Sequence, residues 1–174
     1  MPFPYYARLS PREKEIYRKS DAVTSIRLLD PAALRPFIRA LREALAADRR
    51  SHVEAAAQYL VRGIVEMLQV PPVRLEVLAV RPTLRHAELH GLYTREVKGI
   101  PRIQVWMRTA QKRRVVAFKT FLRTLLHELM HHLDYDLLKL PDSYHTEGFF
   151  KRESSLFHQL VPPVPEAPSS APEV

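Results

Sequence analysis

The sequence predicts an α+β domain, and three observations carry that expectation. Residues 115–138, free of proline and glycine, repeat apolar side chains at i, i+3, i+4 and i+7, the mark of one buried helix face. The first 70 residues hold three helix-start signals and little strand patterning. Between these regions, residues 73–107 switch to the apolar–polar alternation of half-buried strands. Helices gathered on either side of a run of strands give an α+β layout, not a regular βαβ alternation.

The elements follow in chain order. Residues 1–10 read as an extended arm. Ser10-Pro11-Arg12-Glu13 combines an N-cap, a proline at N1 and an acidic first turn, so a helix is predicted over 11–19. Asp30-Pro31 opens a second helix over about 31–47, with Pro36 in its first turns displacing the start. Ser51-His52-Val53-Glu54 has capping-box spacing and opens a third, running to about 69 and stopped by Pro71-Pro72. Strands are predicted over 73–80, over 88–95 with Gly91 as a bulge position, and over 103–107 after a Lys98-Gly99 turn. A polar stretch, 109–114, leads into the long helix, which Leu140-Pro141-Asp142 ends, and a closing helix covers 147–160. The segment 162–174 holds five of the 15 prolines, cannot build a core and is predicted disordered. The expected organisation is one domain over 1–161, with a helical extension over about 1–70, and a Pro-rich tail.

Composition narrows the chemistry. Hydrophobic content of 46% and charged content of 26% are ordinary for a globular chain. The absence of cysteine excludes disulfides and thiolate ligands, so any metal must be held by His, Asp or Glu. No run approaches the roughly 18 apolar residues of a membrane span. Met1-Pro2-Phe3-Pro4 lacks the basic and apolar regions of a signal peptide, and a cytoplasmic location is the expectation. The net charge of +8 raises nucleic acid as a possible partner. However, 20 of the 27 basic residues are arginine in an Ala-, Leu- and Pro-rich chain, as a GC-biased coding sequence would give. They are dispersed, without the interleaved aromatics of a stacking platform.

The most informative run is His127-Glu128-Leu129-Met130-His131, an HExxH sequence inside the long predicted helix. Imidazoles four apart share a helix face, with Cβ atoms about 5–6 Å apart, and both can reach one Zn²⁺. Glu128 is offset around the helix and can address a water beside the metal. A catalytic zinc usually takes three protein ligands and keeps one position open. His145 follows His131 by 14 residues, enough chain to leave the helix and return, and ranks first as third ligand. Glu153, on the closing helix, ranks second and Glu147 third. Asp134, one turn beyond His131, is placed to orient an imidazole through its free N–H. His132 points about 100° away from His131 and reads as structural. His52, His86, His90 and His158 are given no metal role.

His127-Glu128-Leu129-Met130-His131 followed by His145-x-x-x-Phe149 resembles the SprT-like group of zincin metallopeptidases. Leu89-His90-Gly91-Leu92-Tyr93 is also similar to the hairpin ahead of the edge strand in small zincins, so the likeness spans about 75–150. It implies a zincin-like fold and a zinc-dependent protease. His127, His131 and His145 would hold the ion, and Glu128 would act as general base in hydrolysing a protein or peptide substrate through a zinc-activated water. It also implies a substrate strand added beside the metal, for which Ile103–Met107 is the local candidate, with a core strand as its alternative. Tyr144 and Arg152 are candidate oxyanion stabilisers. The alternatives are a metal-dependent nuclease or other hydrolase, and a non-catalytic nucleic-acid- or protein-binding module.

Overall fold

The computed structural model describes residues 3–84 and 87–163. His86 and the tail from 164 onward lie outside them. The described residues form five α-helices: α1 (Pro11–Ala22), α2 (Arg35–Ala46), α3 (Arg50–Met67), α4 (Phe118–Asp136) and α5 (Glu147–Leu160). A mixed sheet is built from β1 (Arg74–Val80), β4 (Gly91–Thr94) and β5 (Arg102–Arg108), and a short antiparallel pair from β2 (Thr83–Leu84) and β3 (Ala87–Glu88). The architecture is α+β. None of the described helices is long and apolar enough to cross a membrane.

Local chemistry explains most boundaries. Ser10 and Glu13 form a full capping box at α1, each side chain pairing with the other's backbone N–H. Asp30 caps a 3-10 turn over Pro31–Leu34, and α2 proper starts at Arg35, with Pro36 in its first turn. The Ser51 capping box does not form. Helix α3 begins at Arg50 with Arg49 at the N-cap position, two residues ahead of Ser51, and the Glu54 carboxylate accepts from the Val77 N–H of β1 (2.9 Å). A strand amide outcompeted the local cap. Thr146 caps α5 by accepting from the Phe149 N–H at 2.9 Å.

The sheet order is β1-β5-β4, with β1 parallel and β4 antiparallel to β5. Register sets Leu75 beside Ile103 and Val77 beside Val105, and it sets Gly91 and Tyr93 opposite Val105 and Ile103. Because side chains alternate along a strand, these residues share one sheet face. That face packs on α3 and α4, and the buried core runs without a break from Ile26 to Leu160. The segment predicted as one strand over 88–95 is divided between β3 and β4, and Gly91 opens β4 without forming a bulge. Ile103–Met107 lies in the central strand: 103–105 pair with both β1 and β4, and the Met107 carbonyl accepts from the Val116 N–H, so the segment is not an open edge for an added strand. Beside the HExxH helix, the sheet edge is β4.

Candidate metal centre

Helix α4 carries two of the three histidines that meet. Its core face (Leu122, Leu125, Leu126, Leu129, Leu133) is fully buried, which fixes the rotation of the helix. His127 and His131 then project together, with ring centres 5.2 Å apart. His145 comes from the irregular segment between α4 and α5. Its Nε2 lies 3.0 Å from His127 Nε2 and 3.1 Å from His131 Nε2. One ligand atom from each of the three falls within 4.8 Å of the others. Nitrogens held tetrahedrally around an ion at roughly 2.0–2.1 Å would stand about 3.3–3.4 Å apart, a few tenths of an ångström wider. Buried Phe149 forms the floor, with its ring centre 5.0, 5.0 and 5.1 Å from those of His127, His131 and His145.

The outer ring nitrogens set the tautomers. His127 Nδ1 lies 3.1 Å from Glu153 Oε2, and since a carboxylate only accepts, Nδ1 carries the proton. His131 Nδ1 lies 2.7 Å from Ser143 Oγ, and Ser143 donates to Asp134 Oδ2 at 2.8 Å. The single hydroxyl proton is therefore used, and Ser143 must accept from His131 Nδ1–H. Asp134 is fixed in turn by Arg152, which donates to Oδ1 at 2.7 Å, with both side chains fully buried. Both Nε2 atoms of the helix pair thus present lone pairs inward, and His145 Nε2 can donate a proton to only one of them. A cation at the centre satisfies all three, so the residues fit a metal ion. An imidazole-only donor set suits the later first-row divalent metals.

Burial, then the neighbouring charges of His127 and His145, pulls His131 down to about 3. Burial, then His127, also lowers His145. Neutral rings are the form a cation needs. Glu128 is 8% exposed, and burial raises its carboxyl against the opposing pull of His127 and of a hydrogen bond from the Tyr93 backbone. A raised carboxylate is a stronger proton acceptor. A Cβ on Gly91 would fall within 3 Å of Glu128 Oε1, Cγ and Cδ, so the glycine makes room for this carboxylate.

Two clefts meet at this point. One, of about 410 Å³, is lined by Leu92, Tyr93, Tyr135 and Ser143 beside the three histidines. The other, of about 460 Å³, is lined by Leu89, His90, Arg123, Thr124, Phe150 and Glu153. Gly91, His127 and Glu128 belong to both, so the clefts form one groove along the edge strand, with the histidine cluster at its middle. A larger cavity of about 800 Å³ lies beyond Tyr135, between Arg95 and Lys139, away from the histidines.

The other sequence candidates are placed differently. Glu153 contacts the back of His127, where it orients the ring and does not face the ion's position. Glu147 is exposed and pairs with Lys151 at 2.7 Å, outside the cluster. Asp134 acts on His131 through Ser143, not directly. Tyr144 turns toward α1, with its ring 6.4 Å from that of Tyr17, and does not line the groove; burial, then the nearby carboxylates of Asp142 and Glu13, push it up to about 12. Arg152 is fully buried against Asp134, Ser20 and the Val23 carbonyl, and cannot reach a substrate. His132 is buried between the Pro71 carbonyl (2.8 Å) and the Tyr93 hydroxyl (3.2 Å), a structural tie between α4 and the sheet. Sequence reasoning missed Ser143 and the Tyr93 amide, because a serine and a backbone N–H carry no motif. Searches against protein-family models, curated proteins and solved structures find no match to this chain.

Proposed function

We propose that the protein is a zinc-dependent peptidase that cleaves extended segments of protein or peptide, as its likeness to SprT-like zincins implies. The observation that carries this reading is the convergence of three imidazole Nε2 atoms beside a buried carboxylate, at the middle of a groove bordered by a sheet edge. His127, His131 and His145 would hold the ion. When bound, zinc supplies Lewis acidity that makes water nucleophilic near neutral pH and polarises a scissile carbonyl.

The chain's own groups do the rest. Glu128, with its proton affinity raised by burial, takes the proton of the attacking water and delivers it to the leaving amine. Glu153 and the Ser143–Asp134 relay keep the ligand rings in one tautomer and orientation. Strand β4 is a sheet edge; its Tyr93 amide is held by Glu128, and the remaining backbone groups along that edge would match those of an extended peptide. The groove walls favour this substrate over a phosphodiester. Arg123 is the guanidinium in the half of the groove beside Phe150, and it lies 3.8 Å from Glu153 and over the Phe157 ring. A phosphate backbone would need cations available to pair with it.

The test is Glu128→Gln. The variant should retain one equivalent of zinc and lose hydrolysis of an unfolded protein substrate. Cleavage of RNA or DNA by the wild type, with protein left intact, would overturn the reading, as would a wild type that takes up no zinc.

A further inference from the structure

We propose that the amino-terminal arm is a clamp for the third ligand, with Tyr5 as the residue that positions His145. The inference rests on the metal-site reading above. Helix α4 fixes His127 and His131 through its own backbone, but His145 lies in an irregular segment and depends on bonds from elsewhere. Tyr5 Oη donates to the main-chain carbonyl of His145 at 2.7 Å, across 140 residues of sequence.

Tyr5 is itself held in place. Its ring stacks on Phe3 at 6.2 Å and meets Tyr17 edge-on at 5.9 Å. Tyr17 is a buried residue of α1, and its hydroxyl accepts from the Phe3 N–H at 3.2 Å. The residues flanking His145 are tied to the same helix. Tyr144 faces the Tyr17 ring at 6.4 Å. Thr146 Oγ1 lies 3.4 Å from Ser20 Oγ, and the Gly148 N–H donates to Asp21 Oδ1 at 2.8 Å. The contact at Gly148 is so close that a Cβ there would collide with the Asp21 backbone. Helix α1 thus holds the chain on both sides of the ligand, while Tyr5 holds the ligand residue itself.

A cover for exposed aromatic surface would stabilise the fold whether or not metal is bound. A positioning contact acts on metal affinity. Tyr5→Phe keeps the ring and removes only the donor, while Tyr6→Phe removes a hydroxyl that accepts from Arg18 at 3.1 Å and serves as control. Zinc affinity is read by chelator competition, coordination by the visible spectrum of the Co²⁺-substituted protein, and fold by melting of the metal-free form. Tyr5→Phe should weaken zinc about fivefold, the equivalent of one hydrogen bond of about 1 kcal/mol. Its cobalt spectrum should be altered, and its metal-free melting should stay within about 2 °C of wild type. Tyr6→Phe should bind as wild type. Undiminished zinc affinity in Tyr5→Phe, an equal loss in Tyr6→Phe, or a metal-free destabilisation that accounts for the whole affinity change would each overturn the clamp. If the wild type binds zinc and Tyr5→Phe binds it equally, only the clamp fails; if the wild type binds none, the metal reading fails and the clamp with it.

Discussion

Replacing Gly91 by alanine should separate catalysis from metal binding. Gly91 stands opposite Val105 on the sheet face that packs against α4. An added methyl group would lie 2.6 Å from Glu128 Oε1, 2.7 Å from Cγ and 2.9 Å from Cδ. Ordinary carbon contacts fall near 3.5–4.0 Å, so Glu128 must retreat by about 1 Å. Three consecutive positions of the side chain are met, so swinging the carboxylate end alone gives no relief. Glu128 is 8% exposed and bonded to the Tyr93 backbone, which leaves it little room to move. A misplacement of this size at a catalytic group costs about a hundredfold in rate. The backbone is no obstacle, since the positive-φ glycine is Gly99 and not Gly91. Where φ is compatible, Gly→Ala contributes about 0.4–1 kcal/mol through the unfolded state, which offsets part of the crowding. Peptide hydrolysis by Gly91→Ala should therefore fall about a hundredfold in kcat/KM, with full zinc content and melting within about 5 °C of wild type. Wild-type turnover would refute the placement of Glu128. Loss of zinc together with turnover would show that Gly91 acts on the histidines instead.

Ser143→Ala removes the link between His131 and Asp134. Zinc affinity should fall roughly 10- to 100-fold, as when other partners of ligand histidines are removed, and unchanged affinity by chelator competition would refute the tautomer relay. In the metal-free protein, His131 is pulled down to about 3 by burial and by the nearby charges of His127 and His145. The unfolded chain then binds the extra proton as pH falls through the ordinary histidine range near 6.5. This stabilisation is fully present above that value and is lost progressively as pH falls toward 3, by up to about 1.4 kcal/mol per pH unit. Urea denaturation of chelator-treated protein between pH 7.5 and 5 should show a slope that is shallower in His131→Gln. Equal slopes would show that His131 is not buried in its neutral form.

What the sequence made legible was whatever depends on near neighbours. Ser10 and Glu13 form their box, and the apolar stripe of 118–137 buries its helix, because the competing partners are local. The HExxH pair was legible for the same reason, since helical geometry alone brings His127 and His131 together. Legibility ended where distant segments compete. Ser51 and Glu54 have box spacing, but the Val77 amide, 23 residues away, took the Glu54 carboxylate. Whether Ile103–Met107 was an edge or a central strand depended on Arg74–Val80 pairing with it in parallel, a non-local event with no local signature. Arg152 beside a ligand segment looks available to substrate in sequence. Only the fold shows that the carbonyls of Ser20 and Val23 claim it.

The same non-local bonds explain why the candidate site and the fold share a fate. Arg152 joins three helices. It sits on α5, donates to backbone carbonyls at the end of α1, and holds Asp134 of α4 at 2.7 Å. Asp134 in turn receives the proton of Ser143, which fixes His131. Removing one member of such a fully buried pair costs about 3–5 kcal/mol, because the other charge is left without a partner. That cost falls on the packing of α1 against α5 and on the orientation of a ligand ring together. An ion binding the folded chain alone adds stability in proportion to the logarithm of its concentration over its dissociation constant. Metal occupancy of the candidate site would therefore be linked to the docking of α1 through one chain of hydrogen bonds. A helix that carries none of the three histidines thus supports the candidate site as much as the helix that carries HExxH.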